Sequence, residues 1–262
     1  MSRLRHFHGE GLRARGLQQQ GFHLGQEGPA RSRDDNQVTV FGALGDIHGD
    51  FASVRRIIHR HADVPFWLCV GDVADAAGSY EPIGGALYWI KGNNENFDAI
   101  AADDFPPELR HIPNASAVTV GGLRVAGLGG TFAPTMFELA PGELPHPKKG
   151  TAKATALADR RRHFVRAEVE SCKRLRGVDV LLTHEAPSPF RVTVPGGRRP
   201  NDAGKPAITE IIAAVRPRLH LFGHHHRFAE IDVHGVRSVC LDLVSRSYLL
   251  IDGRTLKYDV VS

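Results

Sequence analysis

Five short clusters of metal-donor side chains, each directly after an apolar run, constrain this chain more than any other feature. The first is GDIHGD, residues 45–50, at the end of the apolar run 38–44. Asp46 and His48 flank Ile47. In extended backbone, residues two apart project to one face, so this carboxylate and imidazole can grip one divalent transition metal. GDVAD (71–75), GNNE (92–95), THE (183–185) and GHHH (223–226) follow in that order. Turn chemistry explains any one of them, because Gly-Asp and Gly-Asn pairs commonly form tight turns. It does not explain five in succession, each where a strand-like run ends and where α/β proteins place their ligands.

The segments between the clusters read as alternating strands and helices. Residues 51–61 place Val54, Ile57 and Ile58 on one helical face, with Asp50 positioned as the cap and Ser53 in the first turn. FWLCV (66–70) and ALYWI (86–90) read as strands, and a short helix is expected from near Asn96 to before Pro106. SAVTV and LRVAGL around Gly121-Gly122 predict a hairpin. Residues 155–175 carry the longest helical pattern, with Arg160, Arg161 and Arg162 on its polar side. VDVLL and residues 219–222 read as strands around a helix at 208–215. From Phe228 onward, alternation predicts antiparallel strands with turns at His234-Gly235 and Asp252-Gly253. Two sheets with helices outside fit this order. Residues 1–37 lack sustained periodicity and read as a disordered arm before one domain at 38–262.

Composition narrows the function classes. The formal charge is +4 over 262 residues, which permits an anionic substrate without demanding nucleic acid. Nucleic-acid binding through the Arg-rich arm is the weakest reading retained. Cys69, Cys172 and Cys240 show no paired spacing, which argues for free thiols in a reducing compartment. No apolar run approaches a membrane span, and a secretory signal core is missing. A cytoplasmic protein is the expectation. Oligomeric state is not readable from the sequence.

Asp46, His48, Asp72, Asn93, His184, His224 and His226 are too many donors for one four-coordinate structural metal. Two metals sharing a bridging carboxylate fit better. Mixed carboxylate, amide and imidazole donors suit Mn²⁺ first, with Fe, Zn²⁺, Co²⁺ or Ni²⁺ as alternatives.

In its ordered motif set, residues 40–226, the chain resembles the calcineurin-like metallophosphoesterases. The resemblance implies an α/β fold, a four-layer αββα sandwich of two mixed sheets flanked by helices. It implies that Asp46, His48, Asp72 and His226 hold one metal. Asp72, Asn93, His184 and His224 would hold the other, with Asp72 bridging. A metal-bridging hydroxide would attack phosphorus in line. One position departs from the family pattern: Asn94 stands where that family usually carries His. Asn can donate a hydrogen bond to a phosphoryl oxygen but cannot transfer a proton. Asn94 and Asp75, the usual partner of that His, are therefore the candidate catalytic residues. Asn94, Arg191 and Arg198 are candidate substrate contacts. The departure leans toward phosphodiesters, with nucleotide, nucleic acid or a small diester as substrate. A looser likeness to the lariat-debranching branch lies in GLGGTF (127–132) and RRHFVRAEVE (161–170). The alternatives are a phosphomonoesterase resembling protein phosphatases and a metal-binding scaffold with little turnover.

Overall fold

The computed structural model describes residues 38–144, 159–192 and 201–262. The expected arm and Arg198 lie outside the described residues.

Fourteen strands and four α-helices are described. In chain order they are β1 Val40–Leu44, α1 Phe51–Arg60, β2 Trp67–Cys69, β3 Leu87–Trp89, α2 Phe97–Ala102, β4 Leu109–His111, β5 Ser116–Val120 and β6 Leu123–Leu128. Then come α3 Arg166–Cys172, β7 Val180–Thr183, β8 Arg191–Val192, β9 Asn201–Asp202, α4 Pro206–Val215, β10 Leu219–Phe222, β11 Ala229–Val233, β12 Val236–Cys240, β13 Tyr248–Asp252 and β14 Tyr258–Val261. One six-stranded sheet runs β14-β13-β1-β2-β3-β4 and the other β11-β12-β10-β7-β6-β5. Each has four adjacent parallel strands, with its antiparallel strands beside that block. The expected two mixed sheets with flanking helices are present.

The layers follow from strand periodicity. Leu68 and Val70 face the opposite sheet, meeting a core that includes Phe41, Val125, Leu182, Leu221 and Val239. Trp67 and Cys69 point the other way, onto Val54, Ile57 and Ile58 of α1. A third apolar layer joins Leu128 and Leu181 to Val169 of α3 and Ile208, Ile211 and Ile212 of α4. α1 starts where expected: the Asp50 carboxylate accepts the Ser53 backbone N–H at 3.1 Å, supplying a partner for one of the donors a helix start leaves unpaired.

The helix expected over 155–175 is corrected. Residues 155–158 are not among those described, and Arg160–Arg162 form only a 3₁₀ turn. His163 is extended, bridging Thr131, and the Phe164 N–H donates to the Thr131 carbonyl at 3.1 Å. The helix proper is seven residues long, Arg166–Cys172. Apolar spacing at 157, 163, 164 and 167 resembled a helix because Phe164 is buried from an extended segment. The C-terminal strands also differ from one antiparallel run. β12 lies parallel to β10, whereas β13 crosses to the other sheet and pairs with β1. Among the described residues, no helix is long and apolar enough to cross a membrane.

Candidate metal centre

All five donor clusters emerge at carboxyl ends of strands: β1, β2 and β3 of one sheet, β7 and β10 of the other. The strands bring their ends together, and glycines let the loops touch. A Cβ on Gly92 would overlap the Asp72 carboxylate, and one on Gly223 would overlap that of Asp46. At these two positions the glycine before the donor is a requirement of close approach as well as of turning. His48, Asp72, His224 and His226 hold φ of 49°, 54°, 69° and 48°. Such left-handed backbone costs on the order of 1 kcal/mol per residue, and here it gathers at donor residues.

Asp46 and Asp72 are each only 1% exposed. The Asp46 carboxylate lies 3.0 Å from His226 Nε2 and accepts the His224 backbone N–H at 3.1 Å. His48 Nε2 is 3.1 Å from His226 Nε2. Asp72 sits between two imidazoles, with Oδ2 3.6 Å from His48 Nε2 and Oδ1 3.7 Å from His184 Nε2. The donor atoms of Asp46, His48 and His226 all lie within 4.8 Å of one another, as do those of Asp46, Asp72 and His184. Asn93 joins through its carbonyl, Oδ1, 3.0 Å from His184 Nε2. His224 is placed differently. Its ring packs against that of His184 with centroids 5.0 Å apart, and it is in neither of those two groups.

This donor set fits a divalent cation. The Val70 carbonyl, 2.8 Å from His184 Nδ1, can only accept, so Nδ1 carries the proton. Nε2 then turns its lone pair toward Asn93 Oδ1 and Asp72 Oδ1, an arrangement that a proton or a cation between them relieves. Burial disfavours charge on the His184 ring, yet the Asp72 and Asp46 carboxylates together outweigh it and raise its pKa. Burial likewise pushes the Asp72 carboxyl up, and His184, the Asn94 donors and His48 together hold it below its usual value. Burial, then His184, pushes His224 down to about 4, leaving the neutral imidazole that metals bind.

Asn94 turns inward. Its backbone N–H and side-chain Nδ2 donate to the two Asp72 oxygens at 2.8 and 2.7 Å. Asp75 accepts the backbone N–H groups of Ala77 and Ser79 at 2.8 and 2.7 Å, ordering its own loop. Arg191 is exposed in the short β8–β9 hairpin, where its carbonyl accepts from Arg227.

Sequence reasoning gave no role to Glu95, the last residue of GNNE. It is 2% exposed and accepts from the backbone N–H groups of Val73, Ala74 and Gly92 and from the Tyr80 hydroxyl. Its carboxylate thus ties the second and third donor loops together. Burial, then the Asp72 charge, pushes its pKa up to about 7. An acidic residue three positions after a strand-end glycine was the available signal. Lys91 was also missed. It is largely enclosed, with Nζ donating to the Arg161 carbonyl at 2.7 Å, which secures residues 160–163 beside the site.

Comparison with known proteins agrees with this geometry. Residues 39–228 match the family model described as calcineurin-like phosphoesterase. The lariat debranching enzyme of Schizosaccharomyces pombe is 24% identical over 202 residues, covering 69% of this chain. The aligned part spans 42% of that enzyme's length. The crystal structure of TT1561 from Thermus thermophilus superposes with a TM-score of 0.53 at 15% identity, covering 86% of this chain and 99% of its own. Another solved chain, 14% identical, gives 0.59 and covers 86% of this chain and 98% of its own. Both superpositions concern the fold alone. With its motifs in family order and more than half its length matched, this chain belongs to the calcineurin-like phosphoesterase family.

Proposed function

We propose that the protein hydrolyses phosphoesters at a two-metal centre, with phosphodiesters as the favoured substrates. The observation that carries this is Asp72, whose two oxygens lie 3.6 Å and 3.7 Å from His48 and His184, so that one carboxylate could serve a cation on either side. Asp46, His48, Asp72 and His226 would hold one cation, and Asp72, Asn93, His184 and His224 the other. Mn²⁺ is the first candidate. Two such cations supply positive charge for the phosphoryl oxygens and a nucleophilic water at neutral pH.

The chain's own residues set the geometry. The Val70 carbonyl fixes the His184 tautomer, and Asn94 orients Asp72. With its amide on Asp72, Asn94 offers a leaving group no transferable proton, which would favour esters whose leaving group departs without protonation. The relative's name supports placing branched RNA beside simple diesters among the substrates tested. Three free, buried cysteines support a reducing compartment, with the cytoplasm as the proposal.

The test is hydrolysis of bis-p-nitrophenyl phosphate with Mn²⁺, its loss on chelation, and metal content per chain. Two metals with chelator-sensitive turnover are expected. Metal-loaded protein inert on monoesters, diesters and RNA would sink the proposal and favour the scaffold reading.

A further inference from the structure

Beside α1, away from the donor atoms, lies a cavity of about 200 Å³ lined by Ser53, Arg56 and Arg60 of the helix, by Arg246 and Ser247 of the turn between β12 and β13, and by Ser262. Positions 53, 56 and 60 share one helical stripe, so both arginines reach the same hollow. Like charges four residues apart destabilise a helix unless something neutralises them. Arg56 has only a hydroxyl, donating to Ser53 Oγ at 2.8 Å. The Arg60 side chain makes no hydrogen bond or ion pair among the described residues. Arg246 is the one cavity arginine with a carboxylate partner, Asp242 at 3.2 Å. Arg55, on the same helix but outside the cavity, is neutralised by Glu81 at 2.9 Å. Arg60 therefore brings to the cavity a guanidinium with no carboxylate partner among the described residues, and Arg56 one that reaches the Asp50 carboxylate only through Ser53 Oγ, which donates to Asp50 Oδ2 at 2.6 Å. Planar guanidinium groups converging on one hollow suit a tetrahedral oxyanion.

The cavity wall is also fastened to the metal centre. Arg246 donates to the His226 carbonyl at 3.1 Å, and the Val244 N–H donates to the Asp46 carbonyl at 3.1 Å. One short turn thus carries a cavity arginine and holds the backbone of two donor residues. We propose that this cavity is a phosphate-binding subsite, distinct from the metal centre and joined to it through the 241–247 turn. Its ligand is a phosphate group, either a second phosphate of an extended substrate or a free phosphate anion.

Calorimetric titration of the full chain with inorganic phosphate and pyrophosphate, before and after metal is stripped with chelator and the chelator removed, tests this. Binding at the cavity persists in the stripped protein, which separates it from any phosphate affinity of the metals and from the proposed hydrolysis. Arg60→Ala and the pair Arg56→Ala/Arg60→Ala weaken it at least tenfold, while Arg55→Ala, which removes the same charge from the same helix, leaves it unchanged. A raised KM for a 5′-phosphorylated oligonucleotide, with KM for bis-p-nitrophenyl phosphate unaltered, assigns the subsite to substrate. Unaltered KM for both, with phosphate binding lost, assigns it to the free anion. Two results overturn the proposal: no binding to the stripped wild type, or equal losses in the Arg55 and Arg60 variants.

Discussion

His184 Nδ1 donates to the Val70 carbonyl across 2.8 Å, and this bond determines which nitrogen faces Asp72. His184 is completely buried, so the ring has no other orientation that satisfies the carbonyl. His184→Ala removes a donor nitrogen and orphans the Val70 oxygen. Metal content should fall by about one per chain and diester turnover by more than the roughly 10–100-fold typical of outer metal-site partners. Metal analysis and bis-p-nitrophenyl phosphate kinetics check both.

Asn94 and Asp72 make a second testable pair. Asn94→Ala removes the 2.7 Å bond to Asp72 Oδ2 and should weaken metal affinity by about 10–100-fold. Asn94→His restores a titratable donor at the position. Wild-type rates should depend steeply on leaving-group pKa, and Asn94→His should flatten that dependence. An unchanged slope across a series of aryl and alkyl diesters would rule out this account of Asn94.

When ionised, Glu95 is acceptor-only toward three backbone N–H groups and the Tyr80 hydroxyl. Glu95→Gln turns an amide N–H₂ toward N–H donors. Leaving buried polar groups unmatched costs about 1–3 kcal/mol each, so the variant should lose stability by about that amount in urea unfolding. Because the same carboxylate joins two donor loops, metal affinity should fall with it.

The convergence of the donor clusters was legible because their pattern is local: a strand, a glycine that permits close approach, then the donor side chain. Sheet membership was not, since nothing between residues 228 and 252 records that β12 joins β10 while β13 joins β1. The three-residue β4 was missed, being too short to show alternation. The segment at 155–175 misled because burial of Phe164 comes from pairing with Thr131, a tertiary contact. Residue identity placed Asn94 at the site but not its direction, which depends on Asp72 being within reach.

His220 offers a pH test away from the donors. It is fully buried, shares a 2.9 Å hydrogen bond with Thr183 Oγ1, and burial pushes its pKa down to about 3. The unfolded chain takes up this proton near pH 6.5 and the folded chain does not. Stability is therefore fully present above about pH 6.5 and is lost as pH falls toward about 3. His220 alone should remove about 2 kcal/mol between pH 7 and pH 5. His220→Gln should shrink the difference between urea midpoints at those two pH values accordingly. His111, pushed down to about 4 by burial and then by Lys91, continues to act in the same direction in that variant.

The pairing of β13 with β1 reaches across some two hundred residues, Gly42 opposite Leu250 and Leu44 opposite Tyr248. On the ribosome, Asp46 and His48 emerge long before the strand that closes beside them, and before the turn that grips the backbone of Asp46. The nascent chain therefore carries its first two candidate ligands in an open sheet edge for most of its synthesis, and the proposed metal centre is complete only with the last strands. Such long-range pairing slows folding, and it makes the exposed edge of β1 the place where a holding chaperone has most to protect.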